Sequence, residues 1–249
     1  MTVPELVAHR GYARRFPENT LAAVDAAIRA GARHVEIDVQ ISADGFPVLF
    51  HDRTLERMCG VTGAIHELTL AELRALSCHE PKTFGDRFRG EGVASLASFA
   101  QLVRQHPQVH AFVEVKRVAI ERLGNERVLE KVLAAIEPAI AQCSLISFSI
   151  PFLTATRRAH QIRLGAVFDT WKEREHAAVW DLAPEFVFCD VDGLPARGAL
   201  QHDHAKIAVY EITDPAQARS LHARGVHLVE TFEIAEMLAA LGGAERGSA

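Results

Sequence analysis

Little in this chain points to nucleic acid, to thiolate metal sites or to a bilayer. Lysine and arginine number 27 against 32 aspartates and glutamates, giving a formal net charge of -5, and there is no long basic run. Binding to a phosphate backbone depends on clustered Lys and Arg, so general nucleic-acid binding is excluded. Only four cysteines occur, Cys59, Cys78, Cys143 and Cys189, without C-x-x-C spacing. Neither a zinc site nor a disulfide framework is indicated, and buried thiols are expected. No apolar run approaches the length needed to cross a bilayer, and "MTVPELVAHRG" has neither the charged start nor the apolar core of a signal peptide. A cytoplasmic location without stable membrane insertion is the default expectation. Nothing in the sequence sets an oligomeric state.

What is present is core-forming material in a regular order. The 249 residues are 49% hydrophobic and 24% charged, enough for one large domain. Short β-like runs at Leu6–His9, His34–Val39, His110–Val115, Leu145–Phe148, Leu164–Phe168, Phe186–Cys189, Ile207–Tyr210 and His227–Val229 alternate mostly with helix-like runs. Asn19 or Thr20 can cap a helix over Leu21–Ala30 that Gly31 stops, and Thr69 with Glu72 makes a capping-box pattern. Eight β/α alternations in this length match a (β/α)8 TIM barrel, with a doubly wound open sheet as the alternative.

One stretch breaks the rhythm. "VEIDVQISADGFPVLFHD" reads as a hairpin turning at Asp44–Gly45. So short a turn does not join two parallel strands, so Pro47–His51 is expected to run antiparallel above the barrel and return His51 close to Glu36. Residues 52–92 then form an insertion between barrel strands two and three, with one convincing helix, where substrate-shaping loops usually sit. A single domain over 1–243 and a flexible tail over 244–249 complete the expected organisation.

The chemistry-bearing residues gather at one end of these strands. His9 ends the first, Glu36 and Asp38 lie on the second, His51 closes the hairpin, and Glu114 with Lys116 ends the third. Glu36 and Asp38 alternate with Val35, Ile37 and Val39, and Glu114 sits between Val113 and Val115. A solvated strand face could explain one such pair. On strands buried on both sides, however, the carboxylates face the barrel interior, where unpaired charge is expensive. Three converging carboxylates call for a cation, and oxygen-only ligands suit Mg2+ or Ca2+. Two histidines can exchange protons near neutral pH, while Arg10 and Lys116 suit a phosphate. The set describes metal-assisted cleavage of a phosphoester. The remaining histidines fall mostly in loops or on helix surfaces and carry no assigned chemistry.

"HRG" followed by "PENT", then "EIDVQISADGFPVLFHD", "LTLAEL" and "VEVK", resembles the glycerophosphodiester phosphodiesterase family over nearly the whole chain, most strongly over Val7–Asp52. The resemblance implies a TIM barrel related to phosphatidylinositol phospholipases C, His9 and His51 as the general acid/base pair, and Glu36, Asp38 and Glu114 as ligands of one divalent cation. It also implies Arg10 and Lys116 as phosphate binders and a small glycerophosphodiester as substrate. The expected reaction starts with attack by a metal-bound glycerol hydroxyl adjacent to the ester oxygen. It gives a cyclic phosphate, with His51 as base and His9 as acid, the roles reversing when water opens the cycle. The C-terminal third departs from the family pattern: "AVYEITD" stands where a tryptophan-bearing strand is usual, and "VETFE" where "TD" is usual. Phe148, Tyr210, Glu211 and Phe232 are therefore the candidates for the substrate pocket. A same-fold enzyme acting on lysophospholipids or sugar phosphodiesters, or a non-catalytic glycerophosphate-binding module, is the alternative.

Overall fold

In the computed structural model, which describes residues 3–242, nine strands form one sheet. They are β1 (Glu5–Ala8), β2 (His34–Ile41), β3 (Pro47–Leu49), β4 (His110–Val115), β5 (Cys143–Ser147), β6 (Arg163–Phe168), β7 (Phe186–Asp190), β8 (Lys206–Tyr210) and β9 (Leu228–Thr231). Strand β1 pairs in parallel with both β2 and β9, which closes the eight parallel strands into a barrel and excludes the open sheet. Helices follow the parallel strands around the outside, as in a (β/α)8 fold, except that β7 runs to β8 through 191–205 without one.

Side-chain alternation builds two apolar layers. Val35, Ile37 and Val39 of β2 and Val113 and Val115 of β4 face outward into the large cluster under the helices. Val7, Phe112, Ile146, Val167, Phe188, Ala208 and Leu228 form a separate cluster that fills the barrel interior. The period of two then sends Glu36 and Asp38 inward on β2, Glu114 inward on β4, and Glu230 inward on β9. The first helix, Leu21–Arg29, buries Ala23, Val24, Ala27 and Ile28, a stripe at helical spacing. Thr20 caps it, its hydroxyl accepting from Ala23 N at 3.1 Å.

The hairpin forms as expected. Strand β3 runs antiparallel to β2 with Val39 opposite Leu49 and Ile41 opposite Pro47, and Gly45 takes φ of +86° in the turn. The following segment holds more helix than expected: Glu56–Cys59, Leu70–Ala75 and Pro81–Phe84, with a 3-10 turn at Ile65–Glu67. Four-residue helices are too short to show a 3.6-residue period, which is why only the box-capped Leu70–Ala75 is legible in sequence. A third apolar cluster around Phe50, Leu55, Met58, Ile65 and Leu73 anchors this segment against β3. All four cysteines are free and buried. No described helix is long and apolar enough to cross a membrane. The tail expected over 244–249 lies outside the described residues.

Candidate active site

The loop after β1 sets the first three functional residues. His9 N donates to Thr231 O at 3.0 Å, which fixes the chain against β9. Arg10 and Gly11 then take φ of +55° and +80° and turn the backbone over the first helix. A Cβ at Gly11 would lie 2.6 Å from the carbonyl carbon of Ala23, so only glycine fits beneath the helix. The turn aims Arg10 N at Glu36 Oε2, 3.2 Å away, and brings Arg10 Nε to 3.1 Å from Asp38 Oδ2.

Glu36, Asp38 and Glu114 converge inside the barrel mouth, each offering a carboxylate oxygen within 4.8 Å of the others. Asp38 and Glu114 are register partners on adjacent strands. Lys116 Nζ lies between them, 3.1 Å from Asp38 Oδ1 and 2.7 Å from Glu114 Oε1. Burial acts to raise the Asp38 pKa, but Lys116 and Arg10 outweigh it and hold this carboxyl below its ordinary range. Glu36 goes the other way: burial, then repulsion from Asp38, Glu230 and Glu114, pushes it well above its ordinary value. Its Oε1 is buried without a partner. The donor set fits a hard divalent cation, since oxygens bound to Ca2+ at about 2.4 Å can stand up to about 4.8 Å apart.

The two histidines occupy unlike surroundings. His9 is buried, with Nε2 3.6 Å from Glu36 and 3.8 Å from Glu230, and Nδ1 3.4 Å from Glu211. None of these is a close hydrogen bond. Burial, with a smaller contribution from Arg10, holds its pKa well below that of a free imidazole. His51 is half-buried, and its Nδ1 lies 2.9 Å from Asp52 Oδ1, leaving Nε2 for other contacts. Arg57 grips that carboxylate at 2.7 and 2.8 Å and reaches Glu18 at 2.6 Å. Glu18 in turn accepts from Arg10 NH1 at 3.1 Å. A continuous chain of charges therefore links His51 to Asp38. Glu18, His51 and Asp52 also bring ligand atoms within 4.8 Å of one another, but the Arg57 guanidinium already pairs with both carboxylates of that cluster.

His9, Arg10, His51, Glu114, Lys116, Phe148, Tyr210 and Glu211 line a single cavity of about 90 Å³ at the C-terminal end of the strands. Ile146, Val167 and Phe188 form its apolar wall, and Glu230 completes it. Glu36 and Asp38 lie behind this surface, each 1% exposed. Phe232 is not on the wall; its ring stacks on His9 at 4.8 Å and 6°, with the Arg10 guanidinium 5.7 Å from its centroid. Arg14 and Arg15 point away from the cavity and pair with Glu233 and Glu236 at the surface.

A model of the glycerophosphoryl diester phosphodiesterase family matches residues 9–232, from the first histidine of the site to the ring stacked upon it. The chain belongs to this family. A glycerophosphodiester phosphodiesterase from Caldanaerobacter subterraneus subsp. tengcongensis is 37% identical over 132 residues, which cover 53% of this chain and 52% of that protein. The chain thus spans about half the length of that relative. An Oleispira antarctica phosphodiesterase, solved in complex with the product sn-glycerol-3-phosphate, shares the fold with a TM-score of 0.81 at 24% identity, covering 96% of this chain and 97% of that one. A glycerophosphodiester phosphodiesterase from Agrobacterium tumefaciens shares it at 0.73 and 24% identity, covering 95% and 99%.

In this member of the glycerophosphoryl diester phosphodiesterase family, five site residues escape a reading by spacing alone. Asn19 is not the helix cap: its Nδ2 donates to Asp38 Oδ2 at 2.9 Å and its Oδ1 accepts from Asp38 N at 3.0 Å. Glu18, Asp52 and Arg57 form the charge chain just described. Asp52 is adjacent to His51 and Glu18 lies in "PENT", but Arg57 has no local signal at all. Glu230 does have one, because it alternates with the outward Val229 as Glu36 alternates with the outward valines, and shares the inward face with Leu228.

Proposed function

We propose that the protein hydrolyses glycerophosphodiesters to glycerol 3-phosphate and an alcohol, with one Mg2+ or Ca2+ held by Glu36, Asp38 and Glu114. The observation that carries this reading is the joining of that carboxylate cluster, two imidazoles, Arg10 and Lys116 at one cavity. A bound divalent cation would offset the carboxylate charge and polarise hydroxyl and phosphoryl oxygens. Arg10 and Lys116 supply the positive charge that orients the diester.

The chain's own residues move the protons. The glycerol hydroxyl next to the ester oxygen attacks phosphorus, and its proton passes to His9 Nε2. As the bond to the leaving alcohol breaks, His51 Nε2 gives that oxygen a proton. Water then opens the cyclic phosphate with the roles exchanged. This order reverses the one expected from sequence, and one feature supports the reversal: burial favours the neutral ring of His9, the form that can accept a proton.

Small soluble diesters fit better than lysophospholipids. Among the described residues, the exposed large apolar side chains are Phe46, Val61 and Trp180, which are far apart in sequence. Phe84 and Phe88 pack on each other, and Phe88 on Phe16, rather than forming a membrane-facing patch. The deciding experiment assays chelator-stripped protein on glycerophosphocholine, glycerophosphoethanolamine and lysophosphatidylcholine, with each metal added back. Turnover of the first two with Mg2+ or Ca2+ is expected, along with its loss in His9→Ala and His51→Ala at near-unchanged cation affinity. No hydrolysis under any combination would leave a binding module.

A further inference from the structure

Glu230 is a deeply buried carboxylate of the site that the proposed reaction does not use. It is 3% exposed, lines the cavity, and has Oε1 buried without a partner. It does not belong to the set of Glu36, Asp38 and Glu114 whose oxygens lie within 4.8 Å of one another. Those three have other partners: Asp38 has Arg10, Lys116 and Asn19, Glu114 has Lys116, and Glu36 has the Arg10 amide. The nearest ion-pair partner of Glu230 is His9, whose Nε2 stands 3.8 Å from Oε2. That is too long for a hydrogen bond, so the two groups do not satisfy each other. A buried acceptor without a donor is costly and marks a place where a ligand supplies one.

The donor's chemistry follows from the surroundings. Ile146, Val167 and Phe188, which line the same cavity, offer no hydrogen bond. Two acceptors 3.8 Å apart, His9 Nε2 and Glu230 Oε2, suit hydroxyls on adjacent carbons. We propose that Glu230 accepts a hydrogen bond from the terminal glycerol hydroxyl while His9 engages its neighbour, so that the pair selects diesters whose retained alcohol carries a free vicinal diol. This rests on the proposed reaction and assigns Glu230 the part of a specificity-determining residue. An acyl group on the terminal oxygen removes the donor.

The test compares glycerophosphocholine with its analogue lacking the terminal hydroxyl, the phosphocholine ester of propane-1,2-diol. A site built to bind a hydroxyl rejects the deoxy analogue strongly, and wild type is expected to prefer glycerophosphocholine by about 100-fold or more in kcat/KM. Glu230→Leu is expected to lose about 100-fold on glycerophosphocholine and less than about threefold on the analogue, collapsing the preference. Glu230→Gln keeps an acceptor oxygen and should restore part of it. Calorimetry with sn-glycerol 3-phosphate and propane-1,2-diol 1-phosphate reads the same preference without turnover. If wild type cleaves neither diester, the reaction is wrong, and the binding preference still decides the role of Glu230. Equal losses on both ligands in Glu230→Leu, or an unchanged preference, would overturn the assignment. So would a tenfold loss of Mg2+ or Ca2+ affinity in that variant, which would make Glu230 a ligand of the cation.

Discussion

Replacing Asn19 with alanine should separate what holds the candidate cation site from what merely forms it. Asn19 makes two buried hydrogen bonds to one residue, to the side chain and to the amide of Asp38. Its own amide donates to Arg10 O at 3.0 Å, so it also ties the loop after β1 to β2. Alanine leaves the buried Asp38 N–H without an acceptor, at a cost of about 1–3 kcal/mol. Asn19 also has φ of +56°, where alanine adds about 1–2 kcal/mol of strain. Together the change should destabilise the protein by about 2–5 kcal/mol, a drop in Tm of about 5–15 °C for a chain this size. Loss of a residue that orients a metal-binding carboxylate typically weakens metal affinity by about 10–100-fold.

Asn19→Gly is the informative control. Glycine accepts the positive φ, so it should recover about 1 kcal/mol or more relative to alanine while leaving Asp38 unsupported. The assay is thermal unfolding in chelator for both variants, with calorimetric titration of Mg2+ and Ca2+. If Asn19→Gly binds both cations within about twofold of wild type, the Asn19–Asp38 contact does not orient the site and the reasoning fails.

The same geometry makes three shorter predictions. Burial raises Glu36, Glu230 and Glu114, so their stabilising contribution is present below the ordinary carboxylate range and fades as pH rises through their raised folded values. A cation needs them ionised, so added Mg2+ or Ca2+ should raise Tm more at about pH 8 than at about pH 5.5, and equal increments would contradict this. Arg57→Ala frees Asp52 to swing from His51, and because Arg57 is partly exposed the stability change should stay near 1 kcal/mol or less. Turnover should nonetheless fall by roughly 10–100-fold, and unchanged kcat would remove Asp52 from the mechanism. Gly11→Ala meets Ala23 and Val24 at 2.6–2.8 Å, so it should yield poorly folded protein, and a wild-type melting curve would show that the loop can shift.

The barrel was legible because alternation on its strands reports two apolar surfaces at once. Val35, Ile37 and Val39 require an outer layer, and the carboxylates between them require an inner one. The hairpin was legible from Asp44–Gly45, and with it the return of His51 toward β2. What escaped was of two kinds. Asn19 and Thr20 are equivalent cap candidates in sequence, and only the backbone shows Thr20 taking the cap while Asn19 turns inward at positive φ. Arg57 lies in a four-residue helix with no periodic signal, and its partners Asp52 and Glu18 meet it only in space. Glu230 belongs to neither kind, since the alternation that exposed Glu36 applies equally to "LVET" and needed only to be carried to the last strand.

Charge balance shows why these parts depend on one another. Glu36, Asp38, Glu114 and Glu230 lie buried around the barrel mouth with Arg10 and Lys116 among them, so ionisation of all four would leave an excess of negative charge where a phosphodiester would have to bind. An anion does not enter such a site against uncompensated carboxylates. One divalent cation held by Glu36, Asp38 and Glu114 would cancel that excess and would free Arg10 and Lys116 to face phosphate oxygens. In the outer chain Arg57 pairs with both Asp52 and Glu18, and Arg10 joins Glu18 to Asp38. His51 enters this network through Asp52. His9, wedged between Glu36, Glu230 and Glu211, is the histidine whose surroundings change most.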